Sequence, residues 1–94
     1  MSGIRKIRTV YIIASIAFDK SYIGSTCKRL SQRLSEHKKK KTCTSWEVMK
    51  HGYYVIMPLL TVPNCTRKEI ELKEKEYLTQ YKNILVNKQS VLRT

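Results

Sequence analysis

The segment IRTVYIIAS limits the folds open to this chain more than any other. It is rich in β-branched and aromatic residues and reads as a buried strand. Phe18-Asp19-Lys20 supplies a turn behind it, and SYIG reads as the returning strand. The two make a β-hairpin, with Gly24 freeing the backbone where strand passes to loop.

Downstream of the hairpin the period changes. A first helix is expected from about Lys28 to Lys39, with Leu30 and Leu34, spaced i, i+4, facing the sheet. Arg33 and His37 have the same spacing and lie together on an adjacent face. Thr44 with Glu47 reads as a capping box opening a short second helix, SWEVMKH, which stops at Gly52. YYVIMPLLTV is a third strand, and Pro58 within it asks for an edge position or a bulge. Pro63-Asn64 reads as a turn. Thr66 with Glu69 repeats the capping box ahead of a third helix, RKEIELKEKEYLTQY, whose buried face is Ile70, Tyr77, Leu78 and Tyr81. On its outer face Glu69-Lys73 and Glu71-Lys75 are spaced as stabilising pairs. No repeat or linker interrupts residues 1–94, so the expectation is a single α+β domain. Its order is ββααβα: a small three-stranded antiparallel sheet with flanking helices.

Composition narrows the function. The chain has 94 residues, enough for a single core, and 41 % of them are hydrophobic. Against 7 acidic residues stand 19 Lys and Arg, a formal net charge of +12. A folded chain this basic repels itself and seeks a polyanion. Nucleic acid comes first, because neutralising phosphates releases condensed counterions; an acidic membrane surface comes second, and solvated charge with no dedicated partner third. Cys27, Cys43 and Cys65 are odd in number and lack C-x-x-C spacing, which argues against a disulfide framework or a zinc site and suits a reducing compartment. IRKIR before VYIIASIAF imitates a signal peptide, but Ser15 interrupts the apolar run and Asp19-Lys20 ends it. Nothing approaches the ~20 apolar residues of a membrane span. A cytoplasmic or nuclear location, with no membrane partner, is therefore expected.

Five features fall in a familiar order. Tyr22-Ile23-Gly24 lies on the second strand, preceded by Thr9-Val10-Tyr11 on the first; Arg33 and His37 share the first helix, Glu74 stands in EKEYL on the last, and Asn87 lies beyond it. The chain resembles the GIY-YIG endonuclease domain from about Ile4 to Asn87, with no separate targeting domain. The first motif departs from the family pattern: it keeps the tyrosine and loses the glycine, which reads as a divergent but active enzyme.

The resemblance implies a metal-dependent endonuclease cutting DNA, duplex or branched, with one active site per chain. Such a site nicks one strand unless the protein forms a homodimer, and repair or recombination is the expected setting. Phosphodiester hydrolysis needs an activated water, neutralisation of the growing charge and help for the leaving oxygen. Glu74 is the implied ligand of Mg²⁺ (or Mn²⁺), a cation that commonly binds through one or two carboxylates and keeps several waters. Arg33 is the fork for the scissile phosphate. Tyr11 or Tyr22 is the base, with Tyr11 favoured, and His37 relays its proton or orients it. Gly24 and Asn87 are supporting. Lys28, Arg29 and the run Lys38, Lys39, Lys40, Lys41 are candidate contacts to the nucleic-acid backbone.

Each feature also has a plainer reading. Tyr11 and Tyr22 could be ordinary strand aromatics, and His37 beside Arg33 could be solvated helix surface. Glu74 sits among Glu69, Glu71 and Glu76, although it lacks a basic residue four places on. Trp46 could anchor the core or stack on DNA, the core being the better fit to its apolar surface. At the level of function the rivals are a catalytically inactive, basic nucleic-acid-binding module of the same fold and an assembly protein whose basic face condenses nucleic acid.

Overall fold

The computed structural model describes residues 5–40 and 44–86. Asn87, Lys41 and Cys43, singled out above, lie outside the described residues. The elements are β1 (Lys6–Ser15), β2 (Tyr22–Thr26), α1 (Leu30–Lys39), α2 (Trp46–Met49), β3 (Tyr54–Cys65) and α3 (Arg67–Gln80), followed by a 3₁₀ turn, Lys82–Ile84. The sheet is antiparallel in the order β2-β1-β3, so the α+β architecture and the ββααβα order stand as expected.

β1 is the central strand, and its sequence says why. Side chains alternate across a strand, yet here consecutive residues are apolar, so both faces must be covered. Val10, Tyr11 and Ile13 have no exposed surface. Val10 belongs to a core cluster with Ile23, Ile70 and Leu78, which places α3 over one face. Tyr11 and Ile13 belong to a second cluster with Val48 and Met49, joined by Leu30, Leu34 and Trp46, which places α1 and α2 over the other. Leu30, Leu34 and Trp46 thus pack toward the core as their apolar surface suggested.

Pro58 lies on an edge strand and also at a bulge. Val10 pairs with Leu60 while Tyr11 pairs with Pro58, so Leu59 is the extra residue and the proline's missing N–H falls where the ladder is already irregular. Pro63-Asn64 is not a turn. β3 continues through both residues to Cys65, and the local irregularity is a second register shift, between Lys6 and Arg8, with Asn64 at φ 53°. After α3 the chain returns to the sheet, where Ser21 N–H donates to Ile84 O and Val86 N–H donates to Ser21 O, beside the start of β2.

The two expected capping boxes have different fates. Thr66 caps α3: its hydroxyl accepts from Glu69 N–H at 3.2 Å, while the Glu69 carboxylate accepts from Thr66 N–H at 3.0 Å. The Thr44–Glu47 box does not form. Ser45, one residue later, is the N-cap of α2, and no side chain caps it. The expected pairs on α3 also change partners, because strand and N-terminal arginines lie closer: Glu69 meets Arg5 and Glu71 meets Arg67. Thr66→Ala should therefore cost about 1 kcal/mol, seen as a lower urea midpoint at constant m-value. Thr44→Ala should stay within about 0.5 kcal/mol of the wild type.

Candidate active site

The site is built on two helical stripes that carry polar residues where the core expects apolar ones. On α1, positions 30, 33, 34 and 37 form one i, i+3, i+4, i+7 stripe. Leu30 and Leu34 pack into the core beneath it, so Arg33 and His37 share their face rather than occupying an adjacent one. His37 is 5 % exposed, which rules out a solvated surface histidine. On α3, Ile70 and Leu78 are buried at the two ends of an i, i+4, i+8 stripe, and Glu74 stands between them. That position explains why Glu74 is half-buried while Glu69, Glu71 and Glu76 are exposed.

Tyr11 is the meeting point. Its hydroxyl lies 2.7 Å from His37 Nε2 and accepts from Arg33 Nε–H at 3.2 Å. His37 Nδ1 in turn lies 2.6 Å from Ser45 Oγ. Arg33 also donates from Nη1 to Glu36 at 2.8 Å, and Glu36 closes a second ion pair with Lys28. Gly24 faces Tyr11 across the β1–β2 ladder. A Cβ at Gly24 would lie 2.6 Å from the Tyr11 hydroxyl oxygen and 2.8 Å from the ring carbon that bears it. The glycine is required for room beside that phenol, and the backbone freedom expected of it is not its function.

Alternation along β2 sends Ile23 and Ser25 to the opposite face, toward α3. There the Ser25 hydroxyl donates to Glu74 at 2.7 Å. A cleft of about 500 Å³ opens along this edge of the sheet, between α1 and α3. Tyr22, Gly24, Ser25, Lys28, Arg33 and Glu74 line it, together with Arg8, Glu36, Arg67 and Glu71.

Electrostatics follow from burial and pairing. Burial, and next the neighbouring Tyr22, push the Tyr11 phenol above its ordinary range, and Arg33 opposes the rise. Burial lowers His37 to about 4, with the Arg33 charge acting in the same direction, so the imidazole is neutral at pH 7. Lys28 and Arg33 hold the Glu36 carboxyl down to about 2. Burial raises the Glu74 carboxyl against the Ser25 hydrogen bond, and Glu71 adds to the rise.

The structure thus brings Tyr11, Tyr22, Gly24, Arg33 and His37 together and places Glu74 across the same cleft. Tyr22 lines the cleft, whereas Tyr11 has no exposed surface. Of the basic candidates, Lys28 lines the cleft and Arg29 is the exposed N-cap of α1. Lys38, Lys39 and Lys40 are exposed but are not cleft residues; Lys38 Nζ lies 5.9 Å above the ring of Tyr54. Sequence reasoning missed Arg8, Arg67, Ser25, Glu36 and Ser45. Ser25 was within reach, because it follows Gly24 on a strand whose next side chain must face α3. Among the described residues no three His, Cys, Asp or Glu side chains gather as a metal cluster, and no helix is long and apolar enough to cross a membrane.

A tyrosine, an arginine and a histidine thus meet on one face of an antiparallel sheet, and a glutamate from the other face lines the cleft at its edge. The family model of the GIY-YIG catalytic domain matches residues 8–89, and the chain belongs to this family. It is also similar to Uncharacterized protein 019R of Invertebrate iridescent virus 6, with 32 % identity over 83 residues. That match covers 81 % of this chain and 30 % of the relative, so the chain spans under a third of the viral protein's length. No solved structure matches.

Two outcomes are expected from this geometry. Gly24→Ala should destabilise the fold by roughly 1–3 kcal/mol through overpacking against Tyr11, visible as a lower Tm. His37 takes its proton near pH 6.5 when unfolded and near 4 when folded, so between those values the unfolded chain binds more protons. The His37 contribution should therefore be flat above pH 6.5 and should erode stability as pH falls toward 4. Urea titrations of wild type and His37→Gln across that window should show the steeper loss in the wild type.

Proposed function

We propose that this chain is a metal-dependent endonuclease that hydrolyses DNA phosphodiester bonds in the cleft beside β2. The observation that carries this reading is the placement of Glu74. A carboxylate in a core-facing stripe, raised by burial and turned into a cleft with Arg33, is costly to folding and has a use only if something cationic meets it.

The donor set fits Mg²⁺ or Mn²⁺ better than a fully protein-ligated metal. Glu74 offers one half-buried carboxylate, Glu71 lines the same cleft but is paired with Arg67, and no three-residue cluster exists among the described residues. A cation that keeps most of its waters and takes further oxygens from the substrate suits such a site. Glu74 would hold it, with Ser25 fixing the carboxylate, and the bound cation would supply positive charge next to the scissile phosphate.

The chain's own residues hold the phosphate and take the proton of the attacking water, while the departing oxygen takes its proton from solvent in the cleft. Arg33 grips the phosphate with a planar fork, whose bidentate geometry an ammonium cannot give. To do so its Nη groups exchange Glu36, which stays with Lys28, for the phosphate, while Nε–H remains on the Tyr11 oxygen beside the bare Cα of the cleft residue Gly24. Tyr11 takes a proton from the attacking water as its own passes to His37 Nε2, so its disfavoured phenolate never stands alone. Tyr22, on the cleft wall, orients the water. Arg8, Lys28 and Arg67 meet phosphates on either side of the scissile one. A single Glu74–Arg33 site per chain makes the product a nick unless two chains act together.

The test is cleavage of supercoiled plasmid with Mg²⁺, Mn²⁺ or EDTA, alongside DNA binding. Glu74→Ala should abolish metal-dependent nicking while DNA affinity stays within about twofold. Tyr11→Phe should slow nicking by roughly 10²-fold or more, and Tyr22→Phe by less. Salt-sensitive binding by wild type and Glu74→Ala alike, with no cutting of plasmid or branched substrates under any metal, would establish the inactive binding module instead.

A further inference from the structure

Ser45 has no exposed surface, and it stands at the N-cap of α2 without making a side-chain capping bond. A serine in that position ordinarily spends its oxygen on a helix N–H. Here Oγ lies 2.6 Å from His37 Nδ1, and the other ring nitrogen lies 2.7 Å from the Tyr11 hydroxyl. Side chains from the start of α2, from α1 and from β1 therefore form one hydrogen-bonded line, which Arg33 Nε–H closes at Tyr11.

Counting protons along the line separates two states. Arg33 Nε can only donate, so the Tyr11 oxygen accepts from it. A neutral imidazole carries one N–H. If that proton is on Nδ1, Ser45 Oγ accepts it and Nε2 is left as the acceptor for the Tyr11 O–H. If it is on Nε2, Ser45 donates to Nδ1 instead, two donors converge on the Tyr11 oxygen, and His37 has no lone pair to offer the phenol.

We propose that Ser45 is a positioning residue of this site: its hydroxyl oxygen holds His37 in the Nδ1–H tautomer, which leaves Nε2 to receive the Tyr11 proton. The inference rests on the Tyr11–His37 proton path of the proposed nuclease. Proton by proton the step balances: water to Tyr11, Tyr11 to His37 Nε2, with Nδ1–H retained on Ser45. Serine differs here from the carboxylate that commonly orients a catalytic imidazole. It can accept from Nδ1–H without placing a negative charge beside the ring.

The experiment is a two-bond ¹H–¹⁵N correlation spectrum of histidine-labelled protein at pH 7, with His37 assigned from His37→Gln. It is run on wild type, Ser45→Ala and Ser45→Thr beside plasmid-nicking kinetics across pH. The expected result is the Nδ1–H tautomer in wild type. In Ser45→Ala the tautomer shifts to Nε2–H, the maximal rate falls roughly tenfold at unchanged KM, and the acid limb of the pH profile moves. Ser45→Thr, which keeps the hydroxyl, restores the tautomer and the limb. Nε2–H in wild type overturns the proposal, as does an alanine variant that keeps both tautomer and rate. Because the wild-type spectrum decides the tautomer by itself, a variant that misfolds does not remove the test. A protein that nicks nothing yet shows the Ser45-dependent tautomer would sink the nuclease reading and uphold the hold on His37.

Discussion

The arrangement depends on one crowded point, the Tyr11 hydroxyl against Gly24. A fully buried phenol needs partners for its oxygen, and α1 supplies both while β2 leaves the room and α2 braces the histidine. β2 must approach with a residue lacking Cβ, α1 must lie so that Arg33 and His37 reach one atom, and α2 must bring Ser45 to the far side of the histidine ring. The core and the site are therefore the same object on this side of the sheet. The apolar cluster of Tyr11, Ile13, Val48 and Met49 supports the chain of polar contacts that Tyr11 begins.

The opposite face is organised more simply. α3 is set by its Thr66 cap and by Ile70 and Leu78, and these two leave Glu74 no choice but to point at β2. Ser25 receives it there because strand alternation puts Ser25 and Tyr22 on different faces. The sheet edge thus acts as a partition, with phenol and imidazole behind one side and a carboxylate on the other. The cleft is where the two sides meet.

Much of this was legible in the sequence, and the failures have physical causes. The hairpin, the third strand with its irregular proline, and the helix order all follow from local periodicity and caps. The Thr66 box formed where the Thr44 box did not, because Glu47 N–H donates to the Thr44 carbonyl and the Glu47 carboxylate pairs with Lys50. The register shift at Asn64 was unreadable, since Pro-Asn spells a turn in most contexts and here a neighbouring strand carries the chain through it. His37 was misplaced on an adjacent face because leucines alone were counted as the buried stripe; the i+3 and i+7 positions belonged to it too. Glu74 was chosen by resemblance, but the stripe Ile70–Glu74–Leu78 gives the reason a sequence can offer: an acid where the core should continue. Arg8, Arg67 and Glu36 became visible only in three dimensions, because nothing local marks which of many charges will face a common cleft.

Glu36 gives the cleft a further property. Its carboxylate rests against both Lys28 and Arg33, so the guanidinium already holds an anion before any ligand arrives. A phosphate entering the cleft would have to displace that carboxylate, and a lone ion would gain little from the exchange. A polymer would bring adjacent charges to Arg8, Lys28 and Arg67, which line the same cleft, at the same moment. In the proposed nuclease, such a resident carboxylate would favour a continuous strand over a single phosphate.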